Sequence, residues 1–214
     1  MPRCKHCLTK FVIKSFNQKF CMQTDECQSA AIKFVLDNNR RLAEKKEKKD
    51  WVEQKKVLIE KTKNLSSYKK DLELEINGIV RLIDKGHECI SGGFEWGKYK
   101  VHAGHLYSVG GSPSIRFNLL NIFGQSEHDN LHLHGNGAVY LERVKVIFGK
   151  EVFDEISDLR HTYPELKANI PEIKQAIFVA KQIRKSIIKM DTFFETEERI
   201  NLRRTYNKMI GLYK

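Results

Sequence analysis

The sequence predicts an α+β fold, with long polar helices around a small mixed centre and a cysteine-bearing module at the front. Three observations carry this prediction. Four of the five cysteines lie within the first 27 of 214 residues. Helical periodicity dominates residues 31–84 and 149–214, which flank the centre. Between them, residues 87–148 hold six of the eight histidines and nine of the 13 glycines, a composition that favours turns and hairpins over helix.

Residues 1–30 form the expected zinc-binding module. Cys4-x-x-Cys7, followed by Cys21 and Cys27, offers four thiolates to one tetrahedral zinc with Zn–S bonds of ~2.3 Å. A segment this short cannot bury enough apolar surface to fold unaided. Structural zinc contributes an apparent ~10–16 kcal/mol. Four protein ligands leave no open position, so this zinc is expected to be structural. The competing reading is four free thiols packed as small hydrophobes, and His6 is a bystander. Arg3, Lys5, Lys10, Lys14 and Lys19 would set the module against phosphates. Phe11, Phe16 and Phe20 suit either a small core or stacking on exposed bases. An odd cysteine count at this spacing argues for a metal site in a reducing compartment rather than a secreted disulfide framework. The polar start is not a secretory leader, and no run of about 20 apolar residues exists to cross a membrane. The expected location is the cytoplasm.

Residues 31–65 are expected to be a basic helical arm. Residues 31–62 lack Gly and Pro and interleave Arg40, Arg41, Lys45, Lys46, Lys48 and Lys49 with Glu44, Glu47, Glu53 and Glu60. Pairs such as Glu44–Lys48 stand at i,i+4 and support a solvated helix. The apolar stripe (Leu42, Trp51, Leu58) is too thin for a sustained heptad. That weighs against a third reading of the chain, as a zinc-bearing protein–protein adaptor built on a coiled coil.

Asn64-Leu65-Ser66-Ser67 breaks the arm and offers an N-cap. A helix over about 68–84 follows, with Leu72, Ile76, Ile79, Val80 and Ile83 on one face and Gly86 as its stop. Residues 87–148 read as a β-hairpin region, a loop and a short helix. Residues 157–214 are a helical region, with one helix over 165–190 and a polar one over 193–213. The formal net charge of +11 points to an anionic polymer as partner.

The central histidines carry the candidate chemistry. His102 and His105 are followed by Arg116-Phe117-Asn118, Asn121-Ile122, and then Gln125 to Asn136 with His128, His132 and His134. A His, an Asn and a His in this order suit a metal-dependent phosphodiesterase. One imidazole takes a proton from water, an amide orients it, and further side chains hold a divalent ion against the scissile phosphate. Taken one by one, these residues also fit surface polar and turn positions.

The run Cys89-Ile90-Ser91, Ala103-Gly104-His105, Arg116-Phe117-Asn118, Asn121-Ile122, Gln125, Asn130, His132, Gly135-Asn136, Tyr140 and Gly149 resembles the phage recombination family NinG (Rap). The core of that family is similar to His-Asn-His endonucleases. The resemblance covers most of residues 1–156. It implies a small ββα-metal core in residues 66–156, and an endonuclease acting on branched DNA such as Holliday junctions or D-loops, in a bacterium carrying the phage. Carried over, His105 is the general base and Asn121 orients it or supports the hairpin. His102 and His132, with Asn130, are ligands for Mg, Mn or Zn, and Arg116 contacts a phosphate oxygen. Junction cleavers cut two strands, which by analogy suggests a homodimer.

The sequence also departs from that family, which carries a second zinc site from two Cys-x-x-Cys pairs. Here those positions read Cys89, Gly92, Ser126 and Asp129. His87 and His128 are the residues at hand to complete a ligand set. Otherwise packing by Phe94, Trp96, Tyr99, Phe117, Ile122 and Phe123 replaces the metal. The missing cysteines motivate the alternative of a catalytically inactive DNA-binding accessory protein that keeps the nuclease fold.

Overall fold

A computed structural model describes residues 1–92 and 100–213. Phe94, Trp96 and Tyr99 lie outside the described residues. The chain divides into two compact units, residues 1–62 and 63–214.

The first unit is the cysteine module and one helix, α1 (Asp25–Thr62). The turn after Cys4 closes through Leu8 N–H to Cys4 O at 3.0 Å and Cys4 N–H to Thr9 O at 2.9 Å. Leu8 occupies the left-handed region at φ 61°. Phe11 and Phe20 are buried with Cys4 and Cys27, and Phe34 of α1 packs against them. The helix starts six residues before the expected position. Thr24 Oγ1 accepts Cys27 N–H at 3.3 Å, an N-terminal side-chain cap, and Asp25 and Glu26 fill the first turn, where carboxylates suit the helix dipole. Cys27 thus stands on the helix, and the module runs directly into the arm. Cys27 is the one buried residue of α1.

The second unit is built on α2 (Leu65–Ile83) and α5 (Ile170–Met190). Asn64 Oδ1 accepts Ser67 N–H at 2.9 Å and caps α2. Leu72, Ile76, Ile79, Val80 and Ile83 pack against Ile173, Ala176, Ile177, Ala180, Ile183 and Ile187. α5 begins at Ile170 rather than 165. Asn169 and Glu172 form a capping box and Pro171 sits in the first turn, the preferred place for a residue without an N–H.

Two antiparallel strands, β1 (Val101–His105) and β2 (Ile122–Ser126), pair with Gly104 opposite Phe123. α3 (Glu127–His132) follows β2 at once, capped by Ser126 Oγ accepting Asp129 N–H at 3.0 Å. α4 (Gly137–Thr162) is kinked at Gly149, whose φ of 86° and ψ of 163° interrupt it. The last helix is α6 (Thr196–Ile210). All five residues of β2 are buried. Neighbouring strand residues point to opposite faces. Ile122 accordingly joins the α2–α5 core, while Phe123 joins a second core with Tyr140, Val144, Ile156 and Leu159 of α4. The observed fold is helix-rich with one small sheet, and the chemistry-bearing residues sit on that sheet and the helix after it.

Candidate functional site

The four N-terminal sulfurs converge. All lie within 4.8 Å of one another, with Cys4 Sγ 3.9 Å from Cys27 Sγ and Cys7 Sγ 3.7 Å from Cys21 Sγ. A regular tetrahedron with Zn–S bonds of ~2.3 Å has edges of about 3.8 Å, so the four cysteines lie close enough to hold a zinc ion. Supporting donors are in place: Cys21 N–H points to Cys4 Sγ at 3.3 Å and Thr9 Oγ1 to Cys7 Sγ at 3.2 Å. Burial opposes ionisation of Cys4, but the N–H groups of Cys21, Cys7 and His6 outweigh it and bring its thiol down to about 6. The Cys21 thiol is pushed up to about 12: the Gln23 N–H favours its thiolate, but burial and the sulfurs of Cys27, Cys7 and Cys4 oppose it. Four thiolates this close repel one another, and a divalent cation among them removes that penalty. Among the described residues this is the one group of three or more His, Cys, Asp or Glu side chains able to hold a metal.

Of the positions that the family resemblance assigns to a second zinc site, Cys89, Ser126 and Asp129 lie in one hydrogen-bonded cluster. Buried Cys89 Sγ accepts Ser126 N–H at 3.2 Å and lies 3.8 Å from Asp129 Oδ2. Ser91 Oγ donates to Asp129 Oδ2 at 2.7 Å and accepts from Gln125 Nε2 at 2.8 Å. Asn136 Nδ2 reaches Ser91 O at 2.9 Å. His87 points elsewhere: its Nε2 meets Phe194 O at 2.7 Å and its ring stacks on Phe193. His128 Nδ1 lies 3.3 Å from Asp129 Oδ1. A Cys-His-His-Asp ligand set is therefore not assembled.

His105 ends β1, half-buried, with Nε2 2.9 Å from the Arg116 carbonyl. A carbonyl only accepts, so this nitrogen carries the proton and Nδ1 keeps its lone pair. Burial is the leading influence on the ring and pulls its pKa below the ordinary imidazole value. The Arg116 carbonyl and the Glu73 carboxylate push up against it, and the Arg116 charge adds to the decrease. Arg116 Nη2 donates to Glu73 Oε2 at 2.6 Å, and Arg116 borders a basic pocket with Lys69 and Lys70. Glu73 and these lysines belong to α2, and no sequence motif marks them.

Asn121 is fully buried and spends its amide on the chain. Oδ1 accepts Tyr107 N–H at 2.9 Å and Nδ2 donates to Tyr107 O at 3.0 Å. It supports the long connection between the strands and makes no contact with His105 through these bonds. His102 stands on the other face of β1 from His105, three residues away. Its Nδ1 lies 3.3 Å from Asn130 Nδ2 and its Nε2 3.7 Å from Glu127 Oε1. Glu127, in the first turn of α3, was not singled out by the sequence, and its place directly after the Ser126 cap is the signal that could have marked it. His132 is exposed and its ring lies 5.6 Å from that of His128. The structure thus joins His102 to Asn130 and His105 to Arg116, and it brings His132 to neither pair. Gly104 between the two histidines is required: a Cβ there would collide with the Gln125 side chain. Arg40, Arg41, Lys45, Lys46, Lys48 and Lys49 are all exposed on α1, where Arg40 pairs with Glu44 at 3.4 Å.

The family model of the bacteriophage lambda NinG protein matches residues 1–190. The chain belongs to the NinG family. It is a phage recombination-related protein, and the family match takes in the thiol cluster, the hairpin and α5. No curated protein and no solved structure matches the chain. Among the described residues, no helix is long and apolar enough to cross a membrane.

Proposed function

We propose that this NinG family chain cleaves branched DNA with a divalent ion, His105 acting as the general base. The observation that carries this reading is the His105 ring. One nitrogen is fixed by the Arg116 carbonyl, the other is free to accept, and burial keeps the ring neutral near pH 7. A base needs that combination of orientation and protonation state. The element order is also suited to the task, with His105 at the end of β1, Asn121 just before β2, and α3 following directly. Lys69 and Lys70 share a pocket with Arg116, whose carbonyl holds the ring. His102 with Glu127 offers an imidazole and a carboxylate, a fitting pair for Mg, Mn or Zn, with Asn130 beside His102 as a further donor. The ion would polarise the phosphate and stabilise the leaving oxygen.

The test is cleavage of a synthetic four-way junction with Mg²⁺ or Mn²⁺. His105→Ala is expected to lower the rate by about 10²–10⁴-fold, the ordinary contribution of a positioned base, while junction affinity is retained. Equal rates for the two proteins would remove His105 from the chemistry. A second reading is favoured by the separation of His102 and His105 on opposite strand faces: a junction-binding accessory protein without strand scission. It predicts tight, salt-sensitive binding and no product from wild type with any of the three metals.

A further inference from the structure

We propose that the cysteine module carries a binding site for an unpaired nucleobase, with the Phe16 ring stacking on the base and Lys14 and Lys19 holding the adjoining phosphates. This deepens the DNA reading above and rests on it for the polymer. The site is a groove of about 800 Å³ formed by residues 11–23 and the first turns of α1, the size of an ordinary ligand site. Val12, Phe16, Met22 and Val35 line it and are 62%, 95%, 46% and 54% exposed. Isolated apolar side chains on a surface are unremarkable, but four bordering one groove form a patch.

The turn that presents Phe16 is held in place. Gln18 Oε1 accepts Lys14 N–H at 2.8 Å, Gln18 Nε2 donates to Phe20 O at 2.8 Å, and Gln18 N–H reaches Ser15 O at 3.2 Å. Asn17, at φ 63°, takes the left-handed conformation that asparagine tolerates. An aromatic ring on a fixed turn loses little entropy on binding. Charge selects the occupant. Residues 1–24 contain Arg3, Lys5, Lys10, Lys14 and Lys19 and no Asp or Glu. Lys5 and Lys19 stand over the Phe34 ring at 5.1 and 4.9 Å, so cations border the apolar floor itself. An apolar protein partner would strip these cations of water without replacement. An unpaired nucleotide satisfies both features, offering a π-face to the ring and a phosphate to the lysines. Paired duplex hides its base faces.

The test uses the full-length, zinc-loaded protein without added Mg²⁺ or Mn²⁺, so that binding is read apart from cleavage. Fluorescence anisotropy compares a short labelled oligothymidylate with a duplex hairpin of equal charge. Phe16→Ala is expected to weaken oligothymidylate binding by about fivefold or more, the lower end of base–aromatic stacking, and to leave the duplex within about twofold. Phe16→Trp keeps the affinity, and its added indole emission is quenched on titration. Replacing Lys14 and Lys19 with Gln lowers the slope of log affinity against log salt by about 0.7 per lysine. Zinc content and circular dichroism of each variant report folding. The proposal is overturned if Phe16→Ala binds oligothymidylate as wild type does, or loses duplex equally. It is also overturned if the variant instead abolishes a concentration-dependent association seen in sedimentation, which would make the groove a protein-docking face. A junction left uncleaved does not touch this result, and an unaffected Phe16→Ala leaves His105 as it stands.

Discussion

At the scale of single residues, His105 is the group whose environment speaks most directly to chemistry. Burial sets the direction of its shift, and the Glu73 carboxylate and Arg116 charge act on it in opposite senses. A neutral ring is the active form of a base. The cleavage rate is therefore expected to rise with pH through a midpoint below the ordinary imidazole value of about 6.5 and then level off. Glu73→Gln removes an influence that favours the protonated ring, so the midpoint moves further down. A pH–rate profile of kcat/KM for both proteins checks this, and a midpoint above the free imidazole value would assign the ionisation to another group. Asn121 illustrates the opposite case. Its residue type and spacing suit an orienting role, yet both amide ends serve the Tyr107 backbone. A short polar side chain inside a long connection satisfies the nearest buried backbone groups first.

At the scale of elements, local signals were legible and long-range ones were not. The apolar faces of α2 and α5 follow from 3–4 spacing alone, and the four thiols follow from spacing within 24 residues. α1 starts at Asp25 rather than 31 because the Thr24 hydroxyl caps it, inside a stretch whose cysteine spacing reads as a loop module. α5 starts at Ile170 rather than 165, where the Asn169 capping box and Pro171 fix its first turn. Nothing in the sequence ties Glu73 to Arg116 across 43 positions, or His105 to the carbonyl of Arg116. The Cys89 cluster sits between these extremes. Its members are separated in sequence but brought side by side by the start of β2 and α3. Ser126 N–H points at Cys89 Sγ much as Cys21 N–H points at Cys4 Sγ. The triple variant Gly92→Cys, Ser126→Cys, Asp129→Cys is expected to bind a second zinc. Metal content by mass spectrometry should rise from one to two per chain, and Cys4→Ser in the same background should return it to one. A triple variant that still carries a single zinc would show that these backbone positions no longer match a tetrahedron.

At the scale of the whole molecule, charge and burial divide between the two units. Residues 1–62 hold 15 Lys and Arg against 8 Asp and Glu, a net +7 of the +11 total, and α1 buries little beyond Cys27. The first unit is thus an electrostatic surface on a small thiol-anchored core, and the second unit contains the two larger apolar cores. Its centre is itself charged. Asp84, 1% exposed, accepts Gly124 N–H at 2.6 Å, Arg199 Nε at 2.9 Å and Arg203 Nη2 at 2.7 and 2.8 Å. Burial alone would raise the Asp84 carboxyl, but Arg203, Arg199 and the Gly124 N–H overcome it and hold the pKa below the ordinary value. Arg203 also donates to the carbonyls of Leu119 at 3.1 Å and Ile122 at 3.4 Å, so α6 clamps the end of α2 to the start of β2. Both arginines lie beyond residue 190, where the family match ends. Removing one partner of a buried ion pair costs about 3–5 kcal/mol because the remaining charge is stranded. Asp84→Asn leaves two guanidinium groups short of a counter-charge, and a chain ending at Asp191 leaves the carboxylate with neither arginine. At about 2–4 °C per kcal/mol for a domain of this size, Asp84→Asn is expected to lower the melting temperature of the second unit by about 10 °C. The truncated chain is expected to lose the cooperative transition. The lowered Asp84 pKa adds a sign: its stabilisation is fully present above the unfolded carboxyl value of about 3.9 and is lost as pH falls through the folded one. Calorimetry of wild type and Asp84→Asn between neutral and acidic pH tests both statements. The gap between the two proteins should be widest at neutral pH and close on acidification, and a gap that did not depend on pH would mean that Asp84 acts through shape rather than charge.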